Sequence, residues 1–205
     1  KLNEVEALKQ EIDYEYVKTE LKTIINSIQD GAERTKEIVS SLRNFSRLDE
    51  VDLQRANINE GIDSTLVLLK NKLNGITVSK NLESLPLIEC YPSKLNQAFM
   101  NITDNAISAI RDKGLKHGEG IIEINTHFDE NFVYIEIRDN GVGMDSKTKE
   151  KMFEQFFTTK DVGKGTGLGL SIVYNIIESH KGEIIVDSEK NKGTLFTIKI
   201  PNRKG

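Results

Sequence analysis

A seven-residue apolar repeat near the start of the chain constrains the fold most, because a single helix cannot bury the apolar face that the repeat creates. The repeat runs in three offset series: Leu21, Ile28, Thr35 and Leu42; Ile24, Gly31, Ile38 and Phe45; and Ile25, Ala32 and Val39. This spacing predicts an amphipathic helix with a broad apolar face, which is typical of a helical bundle. The face needs a second helix, a second chain or both, most simply in a homodimer built on a four-helix bundle.

A polar stretch ends the repeat and divides the chain. Residues 1–50 are predicted to be part of a helical module, with its main helix over about 20–48, and residues 51–57 are predicted to be a linker. Residues 58–205 follow as a separate domain. A chain of 205 residues suits one domain of ordinary size and a smaller module.

The second domain is predicted to have an α+β fold. Period-two alternation of apolar residues indicates strands, and 3.6-residue periodicity indicates helices. The predicted helices cover 59–73 (with Asn59 as N-cap), 92–113 and 168–180, and the predicted strands cover 76–82, 120–128, 132–139, 183–188 and 193–200. The strands follow one another largely as hairpins. These elements therefore predict a two-layer α/β sandwich, a mixed sheet with helices on one face, preceded by the helical-bundle segment.

Composition narrows the class of protein. The net charge of −4 and the pI of about 5.6 give no sign of nucleic-acid binding. No apolar run approaches the roughly 20 residues that cross a bilayer, so membrane attachment is expected only if an upstream segment supplies it. Cys90 is the single cysteine, which excludes an intrachain disulfide and fits a reducing, cytoplasmic setting. We expect it to be a half-buried strand thiol.

Two patches carry polar groups that suit a ligand site. Asn101 and Asn105 are four residues apart, so both amides project from one helix face, although solvated side chains are the alternative. Asp139 follows a strand directly and is followed by Gly141 and Gly143, which allow close backbone approach to a flat ligand. A buried carboxylate there accepts a hydrogen bond from an exocyclic amine, which selects adenine over guanine. A simple turn is the alternative.

Two further patches suit phosphate. Residues 153–160 combine aromatic side chains with a Thr-Thr-Lys run, which fits either a hinged loop with an ammonium group or core aromatics at a helix end. Residues 163–170 are glycine-rich and open a helix, where free N–H groups and the helix dipole favour an anion. The segment is neither a Walker A loop nor a dinucleotide-binding fingerprint.

Together and in this order, the patches resemble the sequence boxes of sensor histidine kinases. Residues 101–106, 139–143, 153–160 and 163–170 are similar to the N, G1, F and G2 boxes, and Gly193-Thr194 is similar to the final glycine box. DNA gyrase, Hsp90 and MutL share this fold family. Residues 21–50 resemble the second helix of the dimerisation and phosphoacceptor module.

The resemblance implies a site for Mg-ATP. In it Asn105 would hold Mg²⁺ against the phosphates, Asn101 would lie one helical turn away, and Asp139 would bind the adenine amine. Gly141 and Gly143 would shape the base pocket, with Thr194 at its adenine end. The phosphates would be surrounded by Lys160, Lys164, Gly165, Thr166, Gly167, Leu168 and Gly169, within a mobile lid over about 156–167. Asn101, Asn105 and Lys160 would be the catalytic residues.

Two departures from the family's pattern matter. Some members carry a basic residue three positions after the Mg²⁺ amide, where this chain has Ser108, so another group is expected to supply that phosphate contact. The chain's histidines, His117, His127 and His180, all lie outside the N-terminal helices, and solvated or structural roles are expected for them. The phosphoacceptor histidine is therefore expected upstream of this sequence.

The resemblance implies a protein histidine kinase. It would transfer the γ-phosphoryl group of ATP to that upstream histidine, for relay to an aspartate on a response regulator receiver domain. In the gyrase-like branch a glutamate that activates water occupies the position of Asn101, and an amide cannot take a proton at neutral pH. A neutral imidazole needs no base, so Asn101 favours transfer to histidine over hydrolysis. The alternatives are a non-catalytic ATP-binding switch or scaffold and a gyrase-like ATPase clamp.

Overall fold

The computed structural model describes residues 14–46, 53–160 and 165–202. Its helices are α1 (Tyr14–Ser46), α2 (Ile58–Leu68), α3 (Pro92–Asp112), α4 (Ser146–Lys151) and α5 (Gly169–Ser179). Its strands are β1 (Gln54–Ala56), β2 (Ile76–Leu82), β3 (Ile88–Cys90), β4 (Gly120–Phe128), β5 (Phe132–Asp139), β6 (Glu183–Glu189) and β7 (Gly193–Pro201).

Five strands form one mixed sheet, in the order β2-β4-β5-β7-β6. β2 runs parallel to β4, and the other neighbouring strands are antiparallel. β1 and β3 form a separate two-stranded sheet. The predicted mixed sheet is therefore confirmed, including the hairpin of β4 and β5.

Helices α2, α3 and α5 cover one face of the five-stranded sheet. Alternate residues of the central strands point into this layer and are buried, as predicted for Ile135 and Ile137 on β5 and for Ile198 on β7. α3 buries Phe99, Ile102 and other residues at spacings of three and four against the sheet and α5. Each such aliphatic or aromatic side chain contributes about 1.5–3 kcal/mol by leaving water. The two-layer sandwich is confirmed.

α1 is a long helix that exposes its apolar stripe. It contains 33 residues, and Leu21, Ile24, Ile25 and Ile28 are 53, 50, 59 and 67% exposed. The predicted helix over 20–48 thus begins earlier than expected, whereas residues 1–13 and 47–52 lie outside the described part of the chain. The side chains of the later repeat members also lie outside it.

The predicted N-cap of α2 is wrong. Asn57, not Asn59, is the N-cap of α2: its side chain accepts a hydrogen bond from the Asn59 N–H at 3.0 Å. The Asn59 side chain instead reaches out of the helix, donating to the Glu83 carbonyl at 2.7 Å and accepting from the Thr126 hydroxyl at 3.0 Å. Asn59 thus ties α2 to the sheet.

Short elements went unpredicted. β1 lies within the residues predicted to be a linker and pairs with β3. Cys90 ends β3 and is fully buried rather than half-buried, and burial raises the pKa of its thiol to about 11. A thiol with such a pKa stays protonated and packs as a small apolar group.

Candidate active site

A cleft of about 770 Å³ opens between α3, the turn after β5 and the loop that leads into α5. Most of the predicted site residues line it: Asn101, Asn105, Asp139, Gly143, Lys160, Gly165, Thr166, Gly167, Gly169 and Thr194. Two predicted residues do not, Gly141 and Leu168. Lys164 lies outside the described residues. Four segments that are distant in sequence therefore meet at one cavity.

α3 forms the floor of the cleft and presents the two predicted amides. The four-residue spacing places Asn101 and Asn105 one turn apart on the same face. The Asn101 side-chain amide donates to the Gly169 carbonyl at 3.3 Å, where α5 begins. Asn101 is thus in contact with the start of α5, while its amide oxygen remains available to the cleft.

The base end of the cleft is built around Asp139, the last residue of β5. This carboxyl is only 5% exposed, and its Oδ1 accepts from the Gly141 N–H at 2.8 Å. Burial raises the pKa of Asp139 to about 6, and the N–H groups of Gly141 and Thr194 limit the rise. A carboxylate can accept several hydrogen bonds, so beside these backbone bonds Asp139 can still accept from a ligand donor.

Glycines let the chain fold tightly around that carboxyl. A Cβ on Gly141 would lie 2.6 Å from the Ala109 carbonyl carbon, so Gly141 packs against α3 rather than lining the cavity. Gly143 and Gly193 both have positive φ, 61° and 107°, and a Cβ on either would overlap a backbone carbonyl. The turn is also held by the Val142 N–H, which donates to the Ala109 carbonyl at 3.1 Å. These contacts fix Asp139 relative to α3.

Ser188 is a site residue that the sequence analysis missed. Its hydroxyl accepts from the Met144 N–H at 2.8 Å and lies 3.0 Å from both the Gly193 carbonyl and the Thr194 hydroxyl. It joins the turn after β5 to the first residues of β7. One sequence signal could have identified Ser188: it is a polar residue on the face of β6 that otherwise carries Ile184 and Val186.

The wall of the cleft formed by Lys160 and the start of α5 carries positive charge and helix N–H groups. Lys160 donates from Nζ to the Ser108 hydroxyl at 3.0 Å. Ser108 occupies the helix position where some family members carry a basic residue, so here the loop brings an ammonium group to that place. α5 begins at Gly169 with no side-chain cap on its first turn, which leaves its N–H groups directed toward the cleft.

A backbone hydrogen bond joins the two ends of the loop that runs from Phe156 to Gly167. The Phe156 N–H donates to the Gly167 carbonyl at 2.9 Å, and both residues have a φ of 67°. A Cβ on Gly167 would lie 2.3 Å from the Phe156 carbonyl carbon, so only glycine fits there. Phe156 is 62% exposed, so the interpretation of this segment as core aromatics is wrong for that residue. Phe157 lines the cleft instead.

The histidines lie away from the cleft. His180 Nε2 accepts from the Tyr91 N–H at 3.0 Å and Nδ1 lies 2.7 Å from the Ile176 carbonyl, which requires the neutral tautomer protonated at Nδ1. Burial lowers the pKa of His180, so it joins the ends of α5 and α3 as a neutral group. His127 stacks on Tyr134 at 4.5 Å. These contacts fit the structural roles expected for both.

The donor set of the cleft fits a magnesium ion that is held mainly by a phosphate ligand. Mg²⁺ prefers oxygen ligands and is commonly bound through one or two protein groups together with phosphates and water. Asn105 lines the cleft, and its side-chain amide carries an oxygen of the kind that Mg²⁺ binds. Within 14–46, 53–160 and 165–202, no group of three or more His, Cys, Asp or Glu residues is arranged to hold a metal. No helix of that part of the chain is long and apolar enough to span a membrane.

Comparisons with known proteins agree with this geometry. Residues 90–204 match the family described as histidine kinase-, DNA gyrase B-, and HSP90-like ATPase. Sporulation kinase E of Bacillus subtilis (strain 168) is 34% identical over 182 residues, covering 87% of this chain and 24% of that protein. Sensor histidine kinase ZraS of Escherichia coli (strain K12) is 32% identical over 173 residues, covering 83% of this chain and 36% of that protein. The chain therefore spans about a quarter to a third of these relatives.

Solved structures give the same result. The catalytic domain of histidine kinase ThkA superposes with a TM-score of 0.64 at 32% identity, covering 74% of this chain and 96% of that one. Histidine kinase ThkA in complex with the response regulator protein TrrA superposes with a TM-score of 0.68 at 28% identity, covering 89% of this chain and 52% of that one.

Proposed function

The chain belongs to the family of histidine kinase-, DNA gyrase B- and HSP90-like ATPases and carries an ATP-binding domain of the sensor histidine kinase type, and from that premise we propose that it is the kinase part of a sensor histidine kinase. In this proposal it binds Mg-ATP and transfers the γ-phosphoryl group to a histidine outside this sequence. The phosphohistidine then passes the group to an aspartate on a response regulator receiver domain.

One observation carries the proposal: a single cleft is lined by both a buried acceptor and an ammonium group. Asp139 is the acceptor that reads the adenine amine, and Lys160 is the group that meets the phosphates. Asn105 lines the same cleft on α3 and would supply the oxygen that holds Mg²⁺. A bound Mg²⁺ ion supplies charge neutralisation across the phosphate oxygens.

The chain's own residues contribute by binding and positioning. In phosphoryl transfer the bond from the γ-phosphorus to its bridging oxygen breaks as the new P–N bond forms, and ADP leaves with the bonding electrons. The N–H groups at the start of α5 and the Lys160 ammonium stabilise negative charge on the phosphate oxygens. A neutral imidazole nucleophile keeps a free lone pair, so no base is needed in the cleft.

Asn101 supports histidine over water as the acceptor. Its side chain donates to the Gly169 carbonyl, and it has no group that takes a proton at neutral pH. Fast hydrolysis by a gyrase-like mechanism needs a base at this point, so we expect negligible ATP turnover. A non-catalytic ATP-binding scaffold remains the other outcome of the test below.

The proposed assembly follows from α1 and from the relatives. We propose that the exposed apolar stripe of α1 pairs with a second copy, giving a homodimer through the helical module that residues 1–50 belong to. We place the kinase in the cytoplasm, or on the cytoplasmic side of a membrane-anchored sensor. The ThkA complex with its response regulator supports a receiver domain as the partner.

Incubation with radiolabelled ATP tests the proposal. A longer chain that includes the preceding bundle helix is expected to acquire acid-labile, base-stable phosphate, and Asn105→Ala should abolish it. Asn74→Ala, at an exposed asparagine before β2, is the matched control and should leave labelling unchanged. A folded longer chain that binds Mg-ATP yet gains no acid-labile phosphate contradicts kinase function and supports the scaffold.

A further inference from the structure

Asp139, Thr194 and Ser188 form a polar row across three neighbouring strands at the base end of the cleft. Asp139 on β5 lies opposite Thr194 on β7, and Thr194 lies opposite Ser188 on β6. Asp139 and Thr194 are buried on the helix-covered face, where the same strands carry Ile137 and Phe196. The three side chains are therefore cross-strand neighbours, and the state of each one constrains the next.

The hydrogen-bond partners of Ser188 leave one assignment that satisfies every contact. A carbonyl only accepts, so the single Ser188 hydroxyl hydrogen goes to the Gly193 carbonyl at 3.0 Å. A backbone N–H only donates, so Ser188 Oγ accepts from Met144 at 2.8 Å. The contact between Ser188 Oγ and Thr194 Oγ1, also 3.0 Å, then requires Thr194 to be the donor. With the hydrogen placed otherwise, two acceptors would face each other at that distance.

This assignment fixes what Thr194 offers to a ligand. Its only hydroxyl hydrogen points away from the cleft toward Ser188, so its oxygen can only accept there. Asp139 is an acceptor as well, because both oxygens of its carboxylate can only accept. Two neighbouring groups at the base end therefore both require donors. Adenine carries an amine with two N–H groups at C6, whereas guanine and hypoxanthine carry a carbonyl oxygen there.

We propose that Ser188 is a positioning residue for base selection: it holds the Thr194 hydroxyl as an acceptor, so that Asp139 and Thr194 together select the adenine amine and reject a C6 carbonyl. This inference rests on the proposed ATP-binding function and assigns its specificity to a residue on the far strand, β6. Without the Ser188 hydroxyl, Thr194 is free to rotate its hydrogen into the cleft and donate to a carbonyl oxygen.

Affinities for three nucleotides test the proposal: ATP, ITP and purine riboside triphosphate, which has no substituent at C6. Calorimetry with magnesium present gives Kd for wild type, Ser188→Ala, Ser188→Thr and Ser179→Ala. Wild type should bind ATP most tightly and ITP most weakly. In Ser188→Ala the ratio of the ITP Kd to the ATP Kd should fall by about tenfold, the order expected when one hydrogen bond reverses direction.

The other variants separate positioning from general damage. Ser188→Thr keeps the hydroxyl and should keep the ratio, and so should Ser179→Ala, which removes a serine bonded to a carbonyl at the opposite end of α5. Equal weakening of all three nucleotides in Ser188→Ala overturns the inference, as does an unchanged ratio. If Ser188→Ala does not fold, Thr194→Val must show the lowered ratio, because it removes the directed hydroxyl itself. Wild type that binds no ATP contradicts the proposed function instead.

Discussion

At the scale of single residues, Asp139 contributes to binding at the expense of stability. The pKa of its buried carboxyl is about 6, above the ordinary value of 3.8, so the folded protein binds more protons than the unfolded chain between those pH values. Stability therefore rises as pH falls from about 6 toward 3.8, and the cost of the buried charge is fully present above pH 6. A carboxylate kept in such a place indicates a ligand that repays the cost.

We predict that Asp139→Asn strongly weakens ATP binding while stabilising the empty protein. The new amide would keep its oxygen on the Gly141 N–H and turn its NH₂ group toward the adenine amine, which lowers affinity by about a hundredfold. The free energy of unfolding at pH 7.5 should rise by on the order of 2 kcal/mol, a gain that shrinks progressively as pH falls from about 6 toward 3.8. Calorimetry and urea unfolding measure the two effects. Asp187→Asn, exposed on β6, is the control and should change neither quantity. Retained ATP affinity in Asp139→Asn contradicts the role of Asp139.

Lys160 and Ser108 support a second prediction at this scale. Lys160→Met removes the ammonium that rests on Ser108, so affinity for ATP should fall toward that for ADP, by about tenfold. Adding Ser108→Lys to Lys160→Met should restore most of the loss, because the charge then comes from α3 to the same place. The ratio of ATP to ADP affinity measures this, with Lys147→Met on α4 as the control. A double variant as weak as Lys160→Met shows that the two positions are not equivalent.

At the scale of elements, the strength of the periodic pattern decided what was predictable. β2 and the hairpin of β4 and β5 were predicted at their observed bounds, because seven to nine alternating residues leave little ambiguity. β1 and β3 have three residues each, too few to show a period, and α4 is six residues long with none buried. The cap prediction at Asn59 is wrong because the sequence does not reveal that the Asn59 amide oxygen accepts a hydrogen bond from the Thr126 hydroxyl, 67 positions away.

The prediction of the site was limited in the same way, to features that are local in sequence. The segments that carry Asp139, Asn105 and the glycine-rich loop were found because each is local in sequence. The contacts between segments were not: the Ser188 hydroxyl near Thr194 and the Lys160 ammonium on Ser108 join residues whose proximity depends on the whole fold. The departure at Ser108 was visible in the sequence, but the group that occupies its neighbourhood was not.

His180 provides a prediction for the contact between helices α5 and α3. Its pKa is lowered from 6.5, chiefly by burial, so the unfolded chain takes up the proton first as pH falls. The stability it supplies is present above pH 6.5 and is lost as pH falls through the lowered pKa, when a protonated Nε2 can no longer accept from Tyr91. His180→Gln cannot be protonated and should lose less thermal stability than wild type between pH 7.5 and 5.5.

The comparison must be between variants, because Asp139 shifts stability in the opposite direction over the same pH range. Thermal unfolding of wild type, His180→Gln and the control His127→Gln at both pH values separates the two groups. His127 stacks on Tyr134, away from the contact between α5 and α3, so its replacement should leave the His180–Tyr91 hydrogen bond unchanged. An identical pH dependence in wild type and His180→Gln contradicts the prediction.

At the scale of the whole molecule, α1 exposes an apolar stripe that the described part of the chain does not cover. Leu21, Ile24, Ile25 and Ile28 are each at least half exposed along one stripe, whereas the second domain buries its apolar residues in one continuous core. An apolar stripe of this length gains about 25 cal/mol for each Å² removed from water, which favours association over leaving it hydrated. We therefore expect the helical module to contribute to assembly and the second domain to nucleotide binding.

We predict that the chain self-associates through α1 and that assembly can be removed without loss of nucleotide binding. Ile24→Glu combined with Ile28→Glu places two charges on the stripe and should convert a dimer to a monomer at tens of micromolar protein, as read by sedimentation. Mg-ATP affinity should stay within about twofold, because neither residue lines the cleft. Lys22→Glu with Ser27→Glu, two exposed substitutions outside the predicted repeat, should leave the dimer intact. A monomeric wild type at that concentration contradicts pairing through α1, and a monomeric double variant that also loses ATP shows that the two functions are coupled.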